Sequence, residues 1–156
     1  MASVRAAAVS LLLAIVAGLS IASAGTSATP CRTTAPNRNM PEPGMLLGLF
    51  GNGRMAASAY RVIMVDSRTR NPDGSIGEKF WWYGAHDVRG DLRISGYRVD
   101  RRGGGKVTGR PSPGSDTAHP NLRFWATGVR FPTVGCWRVI GTAGADKLAL
   151  TVLVRR

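Results

Sequence analysis

The sequence predicts a small all-β protein: an antiparallel β-sandwich of about seven strands, preceded by an export signal. After residue 24 the chain consists of short runs rich in β-branched and aromatic residues, separated by turn signals. Helical caps followed by a 3.6-residue apolar period are missing from this part of the sequence. A length of 156 residues with 44% hydrophobic content suits one domain with its own core.

Residues 1–24 have the features of a secretory signal peptide. A single positive charge, Arg5, precedes the apolar run Ala6–Leu19, and Ala22–Ala24 supplies a small-x-small cleavage site. The alternative is a retained membrane anchor, because an uncleaved run of this length could nearly span a bilayer. We therefore expect a secreted or otherwise extracytoplasmic protein, cleaved after Ala24.

The remaining chain divides into an extended leader and a sandwich domain. Residues 25–44 are rich in Thr, Ser, Pro and Asn, and residues 45–156 carry the strand signals. Residues 100–121 read as a basic, flexible loop with a short strand near Val107. The other predicted strands, in chain order, are Met45–Phe50, Ala59–Val65 (buried on much of both faces), Lys79–Tyr83, Leu92–Val99, Leu122–Phe131, Gly135–Thr142 and Leu148–Val154.

The two cysteines, Cys31 and Cys136, both follow the signal segment, so we expect one structural disulfide between them. Two cysteines and the distant His86 and His119 are too few to predict a metal site. No cofactor motif is present, and we expect neither a metal nor a cofactor.

The charge is strongly positive and unevenly distributed. The chain has a formal charge of +12, and removal of residues 1–24 takes away one Arg and no acid, leaving +11. The densest basic cluster is Arg101, Arg102, Lys106 and Arg110, a candidate anion-binding loop for wall polymers or phospholipid head groups. Nucleic acid is a weaker candidate, since no recognition motif accompanies the charge. The alternative is a solvated, mobile loop without a partner.

Three adjacent aromatic residues, Trp81, Trp82 and Tyr83, form a candidate ligand platform for a carbohydrate or peptide. The favoured interpretation is structural: alternate rings of the strand would fill the core, and the others would brace a neighbouring strand.

The only local concentration of titratable groups is His86, Asp87 and Asp91. Adjacent residues of a strand point to opposite faces, so His86 and Asp87 could share a site only in a loop. A small hydrolase centred on these two residues is therefore a minor hypothesis. We expect a non-catalytic protein.

The C-terminal part of the chain carries a motif that resembles a known group. The stretch Phe131–Gly141 reads F-P-T-V-G-C-W-R-V-I-G, and the chain resembles uncharacterised exported bacterial proteins with an FPT-x-GCW motif. Weaker common pieces are Cys31 with Thr33 and Pro36, Gly51–Gly53, Lys79–Trp82 and Leu92–Arg98.

The resemblance spans roughly residues 31–154 and implies an immunoglobulin-like sandwich, without an activity. Two positions depart from the family pattern: Arg138 stands where an acidic residue is frequent, and Trp81 replaces the usual Pro. These observations favour a monomeric binding or structural module that acts on an unidentified partner at the cell envelope or outside the cell.

Overall fold

A computed structural model describes residues 30–45 and 49–156, and this part of the chain is all-β with no helix. The predicted signal peptide lies outside the described residues. The described strands, in chain order, are β1 (Phe50–Gly51), β2 (Met55–Ser58), β3 (Val62–Met64), β4 (Ile76–Gly84), β5 (Leu92–Arg98), β6 (Lys106–Gly114), β7 (Arg123–Phe131), β8 (Gly135–Ala143) and β9 (Asp146–Arg155). The all-β prediction is confirmed, with nine strands in place of about seven.

The strands form one mixed sheet in the order β1-β2-β4-β7-β6-β5-β8-β9-β3, in which only β3 and β9 run parallel. Strand β6 joins two halves of this sheet. Its residues 106–108 pair with β5, whereas residues 108–114 pair with β7. We call β1, β2, β4 and β7 the first half, and β5, β8, β9 and β3 the second half.

The two halves pack against each other across the core. A Cβ built on Gly141 of β8 would clash with the Trp82 ring of β4, so the indole rests directly on this glycine. The Phe131 ring of β7 lies 6.3 Å from the Trp137 ring of β8. Inward residues alternate with outward ones along each strand, which places large apolar side chains between the halves.

Two strands near the N-terminal end of the domain differ from the predictions. No strand was predicted at β2, because alanine has low strand propensity; its Ala56 and Ala57 are fully buried. Strand β3 is shorter than the predicted Ala59–Val65, and its Val62 and Met64 are 39% and 51% exposed. The prediction that this strand is buried on both faces is therefore wrong, because only Ile63 points into the core and the other face of β3 is open.

The prediction of a flexible loop over residues 100–121 is also wrong in part. Nine of these residues form β6, which pairs with β7 through Thr108–Gly114. Pro111 and Pro113 are the reason that this strand was predicted as a loop, because proline disfavours strands. Pro111 and Pro113 are two positions apart, so the backbone N–H groups that they lack would both point to the same side of β6. Beyond Thr108 none of the described strands pairs along that side, and prolines are tolerated at such an edge.

The leader follows the edge of β9 and then reaches β1. The Thr34 N–H donates to the Thr151 carbonyl at 2.9 Å, and the Thr151 N–H donates to Thr34 Oγ1 at 2.8 Å. Further along, the Asn37 N–H donates to the Leu49 carbonyl and its side-chain amide donates to that of Gly51. The leader thus links β9, which lies next to the last strand of the sheet, to β1 at the other end.

Candidate ligand-binding surface

The predicted disulfide between Cys31 and Cys136 is confirmed, with 5.5 Å between the two Cα atoms. It attaches the leader to the outer face of β8. A disulfide is consistent with an extracytoplasmic location, since such bonds persist in oxidising compartments.

The structure separates the three rings of the predicted aromatic platform. Trp81 is 50% exposed on the outer face of β4, whereas Trp82 is fully buried in the core. Tyr83 again points outward but is only 7% exposed, because it packs in a small apolar cluster with Ala56, Met45 and Leu49. The prediction of a continuous platform made of all three rings is therefore wrong. Strand alternation sends neighbouring rings to opposite faces.

Tyr83 is further fixed by its hydroxyl group, which donates to Asp116 Oδ2 at 3.1 Å. Burial, reinforced by this hydrogen bond to a carboxylate, raises the pKa of Tyr83 to about 12. The folded protein therefore holds the phenol neutral at pH values where an unfolded tyrosine, with a pKa of 10.0, ionises.

We expect the stability that Tyr83 contributes to fall as the pH rises from 10 towards 12, because only the unfolded state releases the proton in that interval. Tyr83→Phe should flatten this part of the profile and lower the free energy of unfolding at neutral pH by about 1 kcal/mol. Urea unfolding across the alkaline range measures both effects. Tyr97→Phe, at a 54% exposed ring, is the control. Equal alkaline slopes in wild type and Tyr83→Phe would contradict the assignment.

The four residues of the predicted anion-binding loop lie in different structural settings. Arg101 and Arg102 are exposed in the connection between β5 and β6, and Lys106 begins β6. Arg110 lies in the middle of β6, on its outer face. The prediction that these four residues share one mobile loop is therefore wrong, because Lys106 and Arg110 belong to β6 and are part of the sheet.

Arg110 lies in a row of side chains that crosses three strands. Lys79 of β4 pairs with Gly128 of β7, which pairs in turn with Arg110 of β6. A Cβ at Gly128 would meet no atom within 4 Å, so the space between the two cations is open. In the next row a single cation, Arg130 of β7, lies between Gly77 of β4 and Thr108 of β6.

These rows form the floor and walls of an open groove of about 860 Å³, which we call the basic trough. The loop between β3 and β4 adds Arg68 to its lining. Acidic groups offset part of the charge: Glu78 also lines the trough, and Asp73 Oδ2 lies 2.9 Å from Arg130 Nη1. Its principal basic residues are Arg68, Lys79, Arg110 and Arg130.

Trp81 extends this surface by one row. It pairs with Ala126 of β7, which pairs with Ser112 of β6, so small residues lie beside the exposed indole on the same face. The outer face of β4, β7 and β6 thus combines one flat ring with separated cations.

Sequence reasoning identified Trp81 and Arg110 but missed Arg68, Lys79 and Arg130. These residues are isolated in the sequence, and only the register of β4, β7 and β6 brings them together. The spacing of Lys79 and Trp81 by two on a predicted strand was the one available signal, because it places both on one face.

His86 and Asp87 lie between β4 and β5, both exposed. Arg54 Nη1 donates to both carboxylate oxygens of Asp87, at 2.8 and 2.9 Å, and Arg54 Nε donates to Asp146 at 3.1 Å. The Arg54 guanidinium lowers the pKa of Asp87, chiefly through the hydrogen bond. Arg54 thus links Asp87, in the β4–β5 connection, to Asp146 at the start of β9.

Within residues 30–45 and 49–156, His, Cys, Asp and Glu form no group of three that could hold a metal ion. The same part of the chain contains no helix of the length and apolarity needed to cross a membrane. Comparisons of the chain with protein-family models, with curated proteins and with solved structures find no match.

Proposed function

We propose that this protein is an extracytoplasmic, non-catalytic binding module with an immunoglobulin-like sandwich, which takes an anionic polysaccharide on the basic trough. The row Lys79–Gly128–Arg110 is the observation that carries the proposal. Because Gly128 has no side chain, an extended ligand can lie flat on the sheet with its anionic groups between the two cations.

The exposed Trp81 favours a sugar over a simple anion. Sugar rings present apolar faces that pack on flat aromatic rings, and Ala126 and Ser112 leave room beside the indole. Lys79 stands two residues from Trp81 on the same strand face, so one acidic saccharide chain can contact both side chains.

Export is supported by two independent features. The sequence has an apolar run at Ala6–Leu19 followed by a small-residue site, and the structure has a disulfide between Cys31 and Cys136. The FPT-x-GCW resemblance agrees with an exported sandwich. It supplies no ligand.

The test compares two double variants that remove the same charge. We expect Lys79→Gln with Arg110→Gln to weaken binding of fluorescein-labelled polygalacturonate by about tenfold at low salt, because the trough loses both of its facing cations. Arg101→Gln with Arg102→Gln should weaken binding by less than about threefold, since these residues act only through the general field. Fluorescence polarisation of the exported protein measures both.

Trp81→Ala separates sugar recognition from charge. It should weaken binding of polygalacturonate while leaving binding of sugar-free polyphosphate unchanged. Equal losses for the two double variants would show unspecific attraction and overturn the trough as the site. Absence of binding to acidic polysaccharides would overturn the proposed function itself.

A further inference from the structure

A second surface, on the opposite half of the sheet, exposes most of the protein's accessible large apolar side chains. In the described part of the chain six large apolar residues are exposed, and five of them belong to β3, β5 or the residues next to these strands. They are Tyr60 (63% exposed), Val62 (39%), Met64 (51%), Tyr97 (54%) and Val99 (42%). The sixth is Trp81, in the other half.

Strand register places these residues on one outer face. Val62 of β3 pairs with Leu153 of β9, and Leu153 pairs with Cys136 of β8. The Val99 N–H donates to the Cys136 carbonyl at 2.9 Å, which extends the row across β5. Met64 lies two residues after Val62 on β3 and so shares its face. Cys136 is only 1% exposed, because the disulfide-linked leader covers it, so Val62 and Met64 lie on one side of the leader and Tyr97 and Val99 on the other. We call these four side chains, with Tyr60 just before β3, the apolar band.

Arginines surround the apolar band. Arg155 pairs with Met64, and Arg138 pairs with Tyr97. Arg32 lines a cavity of about 350 Å³ with Tyr97 and Val99. The acidic group in this cavity, Asp100, is bound by Arg98 at 2.6 Å.

We propose that the apolar band is a docking surface for an anionic lipid bilayer. Apolar and tyrosine side chains enter the interfacial region of a membrane, while surrounding arginines attract acidic head groups. A second copy of the chain is a poorer occupant, because face-to-face pairing would bring two sets of arginines together.

This inference does not depend on the trough, because the two surfaces share no residue. Mass spectrometry first establishes where the N-terminus of the exported protein lies. Its binding is then measured by sedimentation with phosphatidylcholine vesicles that contain or lack phosphatidylglycerol. We expect Met64→Thr with Val99→Thr to weaken binding to the phosphatidylglycerol vesicles by about tenfold. Threonine retains strand propensity, and both positions are half-exposed, so the fold should be kept.

Charge is tested by Arg32→Gln with Arg155→Gln, which should weaken binding to the same vesicles by about tenfold. The matched control is Lys79→Gln with Arg110→Gln, which removes the same charge from the trough and should change vesicle binding by less than about threefold. Absence of preference for phosphatidylglycerol, or an equal loss with the trough variant, would overturn the proposal. A concentration-dependent dimer that Met64→Thr with Val99→Thr abolishes would also overturn it, in favour of a second copy.

Discussion

Removal of the Cys31–Cys136 bridge is expected to lower the free energy of unfolding by about 4–5 kcal/mol. The bridge closes a loop with a sequence separation of 105, and such a crosslink removes much of the conformational freedom of the unfolded chain. It also holds the leader on β8, where the Thr34–Thr151 hydrogen bonds depend on its position. Of the variants considered, this one should have the largest effect.

Urea unfolding of wild type and of Cys31→Ala with Cys136→Ala measures the difference. We also expect a larger dependence of the unfolding free energy on urea in the variant, because its unfolded state exposes more surface. Adding a reductant to wild type should reproduce the loss, and adding it to the variant should change nothing. A loss below about 1 kcal/mol would contradict a stabilising bridge.

Trp82→Ala should destabilise the fold by about 3–5 kcal/mol, as truncation of a fully buried large side chain does. The indole fills the space between the two halves of the sheet and rests on Gly141, so its loss leaves a cavity where both halves meet. Its ring nitrogen has no hydrogen-bond partner among the described residues. The cost therefore arises from packing, and Trp82→Phe should be much milder.

The neighbouring tryptophan provides the control for this experiment. Trp81→Ala removes the same side chain from a position that is 50% exposed, and should change the free energy of unfolding by less than about 1 kcal/mol. Comparable losses in the two variants would contradict the assignment of Trp82 to the core and Trp81 to the surface.

Sequence patterns predicted the long strands well because their chemistry is typical of strands. Residues 79–83 and 92–99 carry aromatic or alternating side chains, and the structure has β4 and β5 there. Strand β2 was not predicted, and β6 was predicted only as a short strand near Val107, for physical reasons. Alanine and proline disfavour strands on average. However, β2 needs small residues in a crowded interior, and the prolines of β6 face a side on which no described strand pairs.

The candidate sites depend on strand register, which sequence reasoning did not provide. Lys79, Gly128 and Arg110 are widely separated in the chain and become neighbours only through the order β4-β7-β6. The apolar band likewise depends on the parallel pairing of β3 with β9, which follows from no local pattern. The Cys31–Cys136 pair was predictable because two cysteines allow only one intramolecular bridge.

The position of the leader constrains the order in which the protein can assemble. In a chain that crosses a membrane from its N-terminus, Cys31 and Thr34 emerge early, yet their partners Cys136 and Thr151 emerge near the end. Until then the leader has no strand to bind, and Cys31 cannot form its disulfide with Cys136. The disulfide and the leader's hydrogen bonds therefore cannot form until β8 and β9 have emerged, whereas β4, β6 and β7 can pair before that.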